Sequence, residues 1–271
     1  MTEALETPPD DPVAAFIEWS ELDRNRSQHT LKRYRSVLDQ IPDPIHADHH
    51  DIEAWWKTRY TASPATRSNE LFILRAFYKW AVKFDYVLRD PSRRLDPPKV
   101  PNNVPRPIAK SDLERVLGTL TADNLDIRRA VALGAYGGLR VSEAAALDWS
   151  MIDMDSRRIY VRGKGAKERV NALSVTLQDV IMPNTGGNVV RGGGAAYSGA
   201  VLQRKVNRFM ARHGIDSTFH DLRKRGATMA LAKTKNPLAV AQFFGWSSLQ
   251  TATSYAVVGD DVLDEIAEAM V

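Results

Sequence analysis

The sequence predicts a mainly α, two-domain protein whose second domain is α+β, with a small antiparallel sheet. Three observations carry this. Apolar residues recur at helical spacing along most of the chain. Six prolines and two asparagines crowd RDPSRRLDPPKVPNNVPRP, residues 89–107, which forbids a continuous helix there. A single region, MIDMDSRRIYVRGKGAKERVNAL, instead shows short β-prone runs separated by Asp, Ser and Gly turns. Residues 1–88 are therefore read as one helical domain, 89–107 as an extended, semi-rigid linker and 108–271 as a second domain.

In the first domain helices are expected over 12–23, 28–40, 48–60 and 64–86. Pro12 and Pro64 stand at helix-entry positions, and Asp48 can cap the third helix. After the linker, helical patterns cover 111–120, 125–137 and 141–147, and then the β texture begins. Helices resume at 198–213, 220–232, 237–244, 248–256 and 260–270. The intervening NTGGNVVRGGGAAYSG, within 184–199, reads as a flexible surface loop. No internal repeat is present.

With 271 residues, 44% hydrophobic and 26% charged, the chain has the composition of a soluble globular protein. It lacks an apolar run of about 18 residues, and MTEALETPPDDP has neither the basic nor the apolar region of a signal peptide, so a membrane span and export are not expected. The absence of cysteine excludes disulfides and thiolate metal sites and fits a cytoplasmic setting. No His, Asp and Glu cluster has ligand spacing, and ADHHD, residues 47–51, reads as a helix start, so neither metal nor cofactor is expected.

Charge is unevenly placed. The first 23 residues hold seven acids and no base, whereas Arg24 to Arg35 hold five bases and no acid. Lys32, Arg33 and Arg35 surround Leu31 and Tyr34 on one helix; Arg67 and Lys79 flank an aromatic stripe on another. Basic helix faces suit a DNA phosphate backbone, and these five are the candidate DNA contacts. A solvated surface would look the same in this domain alone, since residues 1–105 carry 15 bases and 16 acids.

The second domain is more specific. In YGGLRVSEAAALDW, Gly137 and Gly138 end one helix and Arg140 opens the next, with Glu143 one turn on. Unpaired helix N–H groups and a guanidinium fork at one place bind phosphate well. In YVRGKGAKERV, Gly163 and Gly165 permit a hairpin that projects Lys164. In FHDLRKRGATMAL, His220 and Arg223 share one helix face. In FFGWSSLQTATSYAVV, Gly245 closes a helix, Trp246 occupies the turn and Tyr255 lies near the end of the next helix.

At these residues the chain resembles the tyrosine recombinase, or phage integrase, family. The family signature, Arg, Lys, His-x-x-Arg, His or Trp, and Tyr in that order, falls on Arg140, Lys164, His220, Arg223, Trp246 and Tyr255. The resemblance covers about residues 108–256, and the helical domain before it resembles the family's SAM-like core-binding domain. Two departures stand out. Trp246 replaces the commoner histidine, which keeps a donor; LRKRG replaces an Arg-His-Thr or Arg-His-Ser run, which the sequence does not explain.

The resemblance implies a site-specific recombinase that cuts and rejoins DNA through a 3′-phosphotyrosyl intermediate. Tyr255 would be the nucleophile. Arg140 and Arg223 would hold the non-bridging oxygens, and Lys164 would protonate the leaving 5′ oxygen. His220 would assist proton transfer or orient the phosphate, Trp246 would donate its indole N–H, and Glu143 would orient Arg140. The family fold implies a C-shaped clamp around double-stranded core sites, and family practice implies a homotetramer on two sites. An arm-site domain before the core-binding helices is not expected. The tail VVGDDVLDEIAEAMV has five acids and no base, with Leu263, Ile266 and Met270 on one face, and is expected to dock on a neighbouring protomer. Integration or excision of a phage or other mobile element is the first reading. A host Xer-like resolvase of the same chemistry and a catalytically silent DNA-binding protein are the alternatives.

Overall fold

The computed structural model describes residues 5–101, 106–121, 124–163, 168–183, 186–192 and 195–255. The chain forms two compact units, residues 1–102 and 103–271.

The first unit contains α1 (Pro12–Leu22), α2 (Gln28–Leu38), α3 (His49–Thr58) and α4 (Pro64–Lys83). Each start has a side-chain cap: Asp11 accepts from Ala14 N–H, Ser27 from Thr30, Asp48 from His50 and Asp51, and Ser63 from Thr66. The ends come slightly earlier than periodicity predicts. Pro42 follows α2 closely, and after α4 the chain turns at Asp85, which has a left-handed φ of 56°. The core is aromatic. Phe16 stacks on Tyr34 at 5.4 Å and meets Phe77 edge-on at 5.5 Å, while Leu38, Ile52 and Leu74 have no exposed surface.

The segment expected to be an extended linker is not extended throughout. Pro91–Arg94 is a turn of 3-10 helix capped by Asp90, which accepts from the backbone and hydroxyl of Ser92. Leu95 enters the first core, and Arg75 donates to its carbonyl at 2.5 Å. A proline after a capping Asp, with an apolar anchor downstream, starts a helical turn as readily as a stiff connector.

The second unit begins with α5 (Lys110–Thr119), α6 (Leu125–Ala135) and α7 (Val141–Ala146). Strands β1 (Ile152–Asp153), β2 (Arg158–Arg162) and β3 (Glu168–Ala172) follow, antiparallel in the order β1-β2-β3, with Ile159 opposite Asn171 and Val161 opposite Arg169. A helix absent from the sequence reading, α8 (Val175–Ile181), starts at Ser174 and buries Leu177 and Ile181. Then come the short pair β4 (Arg191–Gly192) and β5 (Ala195–Ala196), and α9 (Gly199–Arg212), α10 (Phe219–Thr234), α11 (Pro237–Phe244) and α12 (Leu249–Thr253). The central helix is α6, in which Ala130, Val131, Ala132 and Leu133 are fully buried. Its Gly134 lets the Phe219 ring of α10 close in: a Cβ there would stand 3.1 Å from that ring.

The stretch 184–199 also departs from the surface loop expected of it. Val189 and Val190 are fully buried; Val189 N–H donates to Leu147 O at 2.8 Å and Trp149 N–H to Gly187 O at 2.9 Å. Buried Arg129 donates to the carbonyls of Ile181, Pro183 and Val189. A valine pair amid glycines thus pins the segment to the core. Among the described residues no helix is long and apolar enough to cross a membrane.

Candidate functional site

The site is built where α7, β3, α10 and the end of α11 meet. Gly138 makes the tight turn from α6 to α7 with φ of 64°, and a Cβ there would stand 2.8 Å from the Phe244 ring. That turn sets Arg140 at the N-cap of α7 and Glu143 in its first turn. The Glu143 carboxylate, 6% exposed, accepts from Arg140 N–H at 2.7 Å and from Arg140 Nη1 at 2.8 Å.

Arg169 completes this grip. From β3 it donates Nη1 and Nη2 to the two Glu143 oxygens at 2.9 and 2.8 Å, a bidentate fork. Sequence reasoning missed this residue. Burial, the largest influence, would push the Glu143 carboxyl up, but the Arg169 hydrogen bonds and then Arg140 outweigh it and hold the pKa at about 2.

Arg223, on α10, is 3% exposed and lies 3.7 Å from Glu143 Oε2 through Nη1. It donates to the carbonyls of Gly138 and Phe244, and its guanidinium lies over the Phe244 and Trp246 rings at 5.0 and 5.7 Å. Burial, then the Arg140 charge, push its pKa down to about 9 against the pull of Glu143, so it stays a cation at neutral pH. Three arginines hold three successive carbonyls at the end of α11: Arg169 Nε donates to Phe243 O at 3.0 Å, Arg223 to Phe244 O, and Arg140 Nη2 to Gly245 O at 2.9 Å. Such carbonyls have no partner within their own helix, and the helix dipole favours cations there.

Immediately beyond them, Trp246 stacks on Phe244 at 5.0 Å and on Tyr255 at 5.0 Å, the latter pair inclined by only 6°. Tyr255, 9% exposed, packs with Ala227, Leu231, Val240 and Phe244. His220 opens α10 beside Arg223 in sequence and is exposed. Although its surface is open, enough protein surrounds the ring for loss of hydration to lower its pKa, and the charges of Lys224, Arg223 and Arg140 lower it further.

Arg140, Glu143, Arg223, Trp246 and Tyr255 are thus linked by contacts, with His220 on the helix that carries Arg223. Lys164 lies outside the described residues, as does the tail with Leu263, Ile266 and Met270. The described ends of β2 and β3 are clasped by Arg162, which donates to Glu168 at 2.8 Å. The run after Arg223 has a local explanation. Lys224 donates to Asp221 at 2.8 Å, and Asp221 accepts from Thr218 N–H at 2.7 Å. Arg225 donates to Ile108 O at 3.2 Å, strapping the start of the second unit to α10.

The five cations singled out in the first unit do not form one cluster. Lys32, Arg33 and Arg35 are exposed on α2. Arg67 lies over the Trp56 and Tyr60 rings at 4.9 and 4.6 Å. Lys79 instead joins Arg24, Arg26 and Lys83 around a cavity of about 480 Å³ floored by Trp19 and Trp80. Arg24, Arg26 and Lys83 were not among the candidate contacts. Among the described residues no group of three or more His, Cys, Asp or Glu could hold a metal ion.

Residues 106–261 match the phage integrase family. Tyrosine recombinase XerC of Salmonella typhi is 27% identical over 270 residues, 90% of this chain and 89% of that protein. A lambda integrase(75-356) dimer bound to a COC′ core site is similar at a TM-score of 0.74 with 16% identity, over 88% of this chain and 96% of that one. XerH site-specific recombinase bound to palindromic difH substrate, in a post-cleavage complex, is similar at 0.70 with 18% identity, over 94% of this chain and 84% of that one. At these identities the structural likeness is one of fold.

Proposed function

The chain belongs to the phage integrase family, and on that premise we propose that it is a site-specific tyrosine recombinase in which Tyr255 cuts DNA and Arg140, His220, Arg223 and Lys164 serve the reaction. The observation that carries this is the continuous contact from Glu143 through Arg223 and Trp246 to Tyr255. It places a phenol beside a site rich in guanidinium groups, which is what an attack on a phosphodiester requires.

The Tyr255 oxygen attacks phosphorus and loses its proton; the bond to the 5′ oxygen breaks, and that oxygen takes a proton. The product is a 3′-phosphotyrosyl link and a free 5′-hydroxyl. A 5′-hydroxyl from a second strand reverses the step without ATP, because the linkage energy is retained. Arg140 and Arg223 hold the non-bridging oxygens. The lowered pKa of His220 keeps its ring neutral at neutral pH, able to accept the phenol proton. Lys164 protonates the leaving oxygen, and Trp246 supplies an N–H while shelving the Tyr255 ring. The helical unit adds phosphate contacts from Arg24, Arg26, Lys79 and Lys83 around its cavity and from Lys32, Arg33 and Arg35 on α2.

Two roles share this chemistry. Mobilisation of a phage or other element is the first; the match with XerC over nine-tenths of both chains favours a host Xer-like role as the second. In either, four protomers act on two core sites, with residues 260–271 docking on a neighbour. Covalent capture of sheared genomic DNA of the source organism tests the reading. The wild-type chain should be trapped on discrete sites and Tyr255→Phe on none; trapping by the Phe variant refutes the assignment. Sites at the ends of a mobile element mark the first role, and sites free of any element mark the second.

A further inference from the structure

Resting on the strand-cleavage reading above, we infer that Arg169 is a positioning residue that keeps Arg140 and Arg223 available to the phosphate while holding the end of α11, and with it Trp246 and Tyr255, in place.

Arg140 and Arg223 have conflicting duties. Both now bond carbonyls at the end of α11, and both lie beside Glu143. A phosphate competes for the same guanidinium donors. Whatever they release must be held by something else, or the segment carrying Trp246 loosens as substrate arrives. Arg169 is that third point. It is 12% exposed in its side chain and spends its Nη atoms on Glu143 and its Nε on Phe243 O. All three groups are engaged inside the protein, so it is committed to structure rather than to ligand.

The fork also occupies Glu143. A carboxylate facing Arg140 from its own helix and Arg223 from α10 would otherwise draw both guanidinium groups inward, against the phosphate. Bidentate pairing with Arg169 satisfies both oxygens and leaves the cleft with the net charge of Arg140 and Arg223. The fit is close on the far side too: a Cβ on Gly245 would stand 3.1 Å from Arg169 Nη1. A lysine offers no fork and cannot span the carboxylate and the carbonyl together.

The test uses the full-length chain on a nicked duplex bearing a site recovered by covalent capture, with cleavage followed at saturating protein and DNA affinity measured separately. Arg169→Lys and Arg169→Gln should slow cleavage about 100-fold, the scale of a small misplacement of reacting groups, with Kd unchanged. They should also steepen the acid limb that protonation of His220 gives the wild type, because Glu143 then takes a proton more easily. Glu143→Gln with Arg169→Gln, which removes the charge pair as a unit and guards against misfolding of the single variants, should lose less than the product of the two single losses. Normal cleavage by folded Arg169→Lys, losses that multiply in the double variant, or a parallel loss of Kd would each overturn the inference. Failure of the wild-type chain to be trapped at all would instead sink the strand-cleavage reading.

Discussion

Replacing Glu143 with glutamine keeps the shape of the side chain and removes the anion at the centre of three guanidinium groups. The carboxyl is held at about 2 against an ordinary 4.5. At about 1.4 kcal/mol per pKa unit, that difference contributes roughly 3 kcal/mol of stability at neutral pH. The sign follows from the depressed value: the contribution is complete above pH 4.5 and is lost as pH falls towards 2. Glutamine forfeits it and leaves Arg169 and Arg223 buried with less compensation, which brings the expected loss to about 3 to 5 kcal/mol. Urea unfolding followed by tryptophan fluorescence can read this, with a probe in each of the two compact units because a chain of two units need not unfold in one step. The gap between wild type and variant should be flat from pH 8 to 5 and narrow below pH 4.5. A gap below about 1 kcal/mol at neutral pH, or one that widens on acidification, would refute the view that Glu143 is a paired, ionised anchor.

Arg140→Lys and Arg223→Lys should each cost about 3 to 4 kcal/mol in the cleavage step, because the ammonium lacks the fork, and near-normal single-turnover cleavage by Arg223→Lys would show that the fork is not needed. Gly138→Ala should destabilise the second unit by about 1 to 3 kcal/mol, through its positive φ and the approach to Phe244, as read in the same urea experiment. Cleavage should survive chelator; loss of cutting in EDTA with recovery on added Mg²⁺ would replace this chemistry with a metal-assisted one. Affinity should fall steeply with salt, and charge reversal at Lys79 and Lys83 should flatten the slope of log K against log salt, which a titration on duplex DNA checks.

Helix starts were legible because they are written locally: Asp11, Ser27, Asp48 and Ser63 all precede the first helical residue and cap it. The helix α8 was not, because VTLQDVI is short and rich in β-branched residues, and burial of Leu177 and Ile181 decides its form. Glycines around Val189 and Val190 concealed an anchored segment whose apolar pair was the available signal. The residues proposed to carry the chemistry, from Arg140 to Tyr255, were read in the sequence by type and order. Arg169 was not, because its role depends on register. It stands opposite Val161, and Asn171 stands opposite Ile159, so two polar side chains share the buried face of β3. Without the pairing of β2 and β3, the run KERVN reads as an ordinary charged strand edge.

The identity of the covalent link tests the central claim most directly. No lysine or arginine follows Lys235, so trypsin releases residues 236–271 as one peptide, and Tyr255 is its only tyrosine. Wild-type protein trapped on a nicked duplex, digested with trypsin and nuclease and analysed by mass spectrometry, should yield this peptide carrying a 3′-linked nucleotide on Tyr255. A nucleotide on any other tyrosine, or covalent trapping that persists in Tyr255→Phe, would contradict the assignment of the nucleophile and of the site built around it.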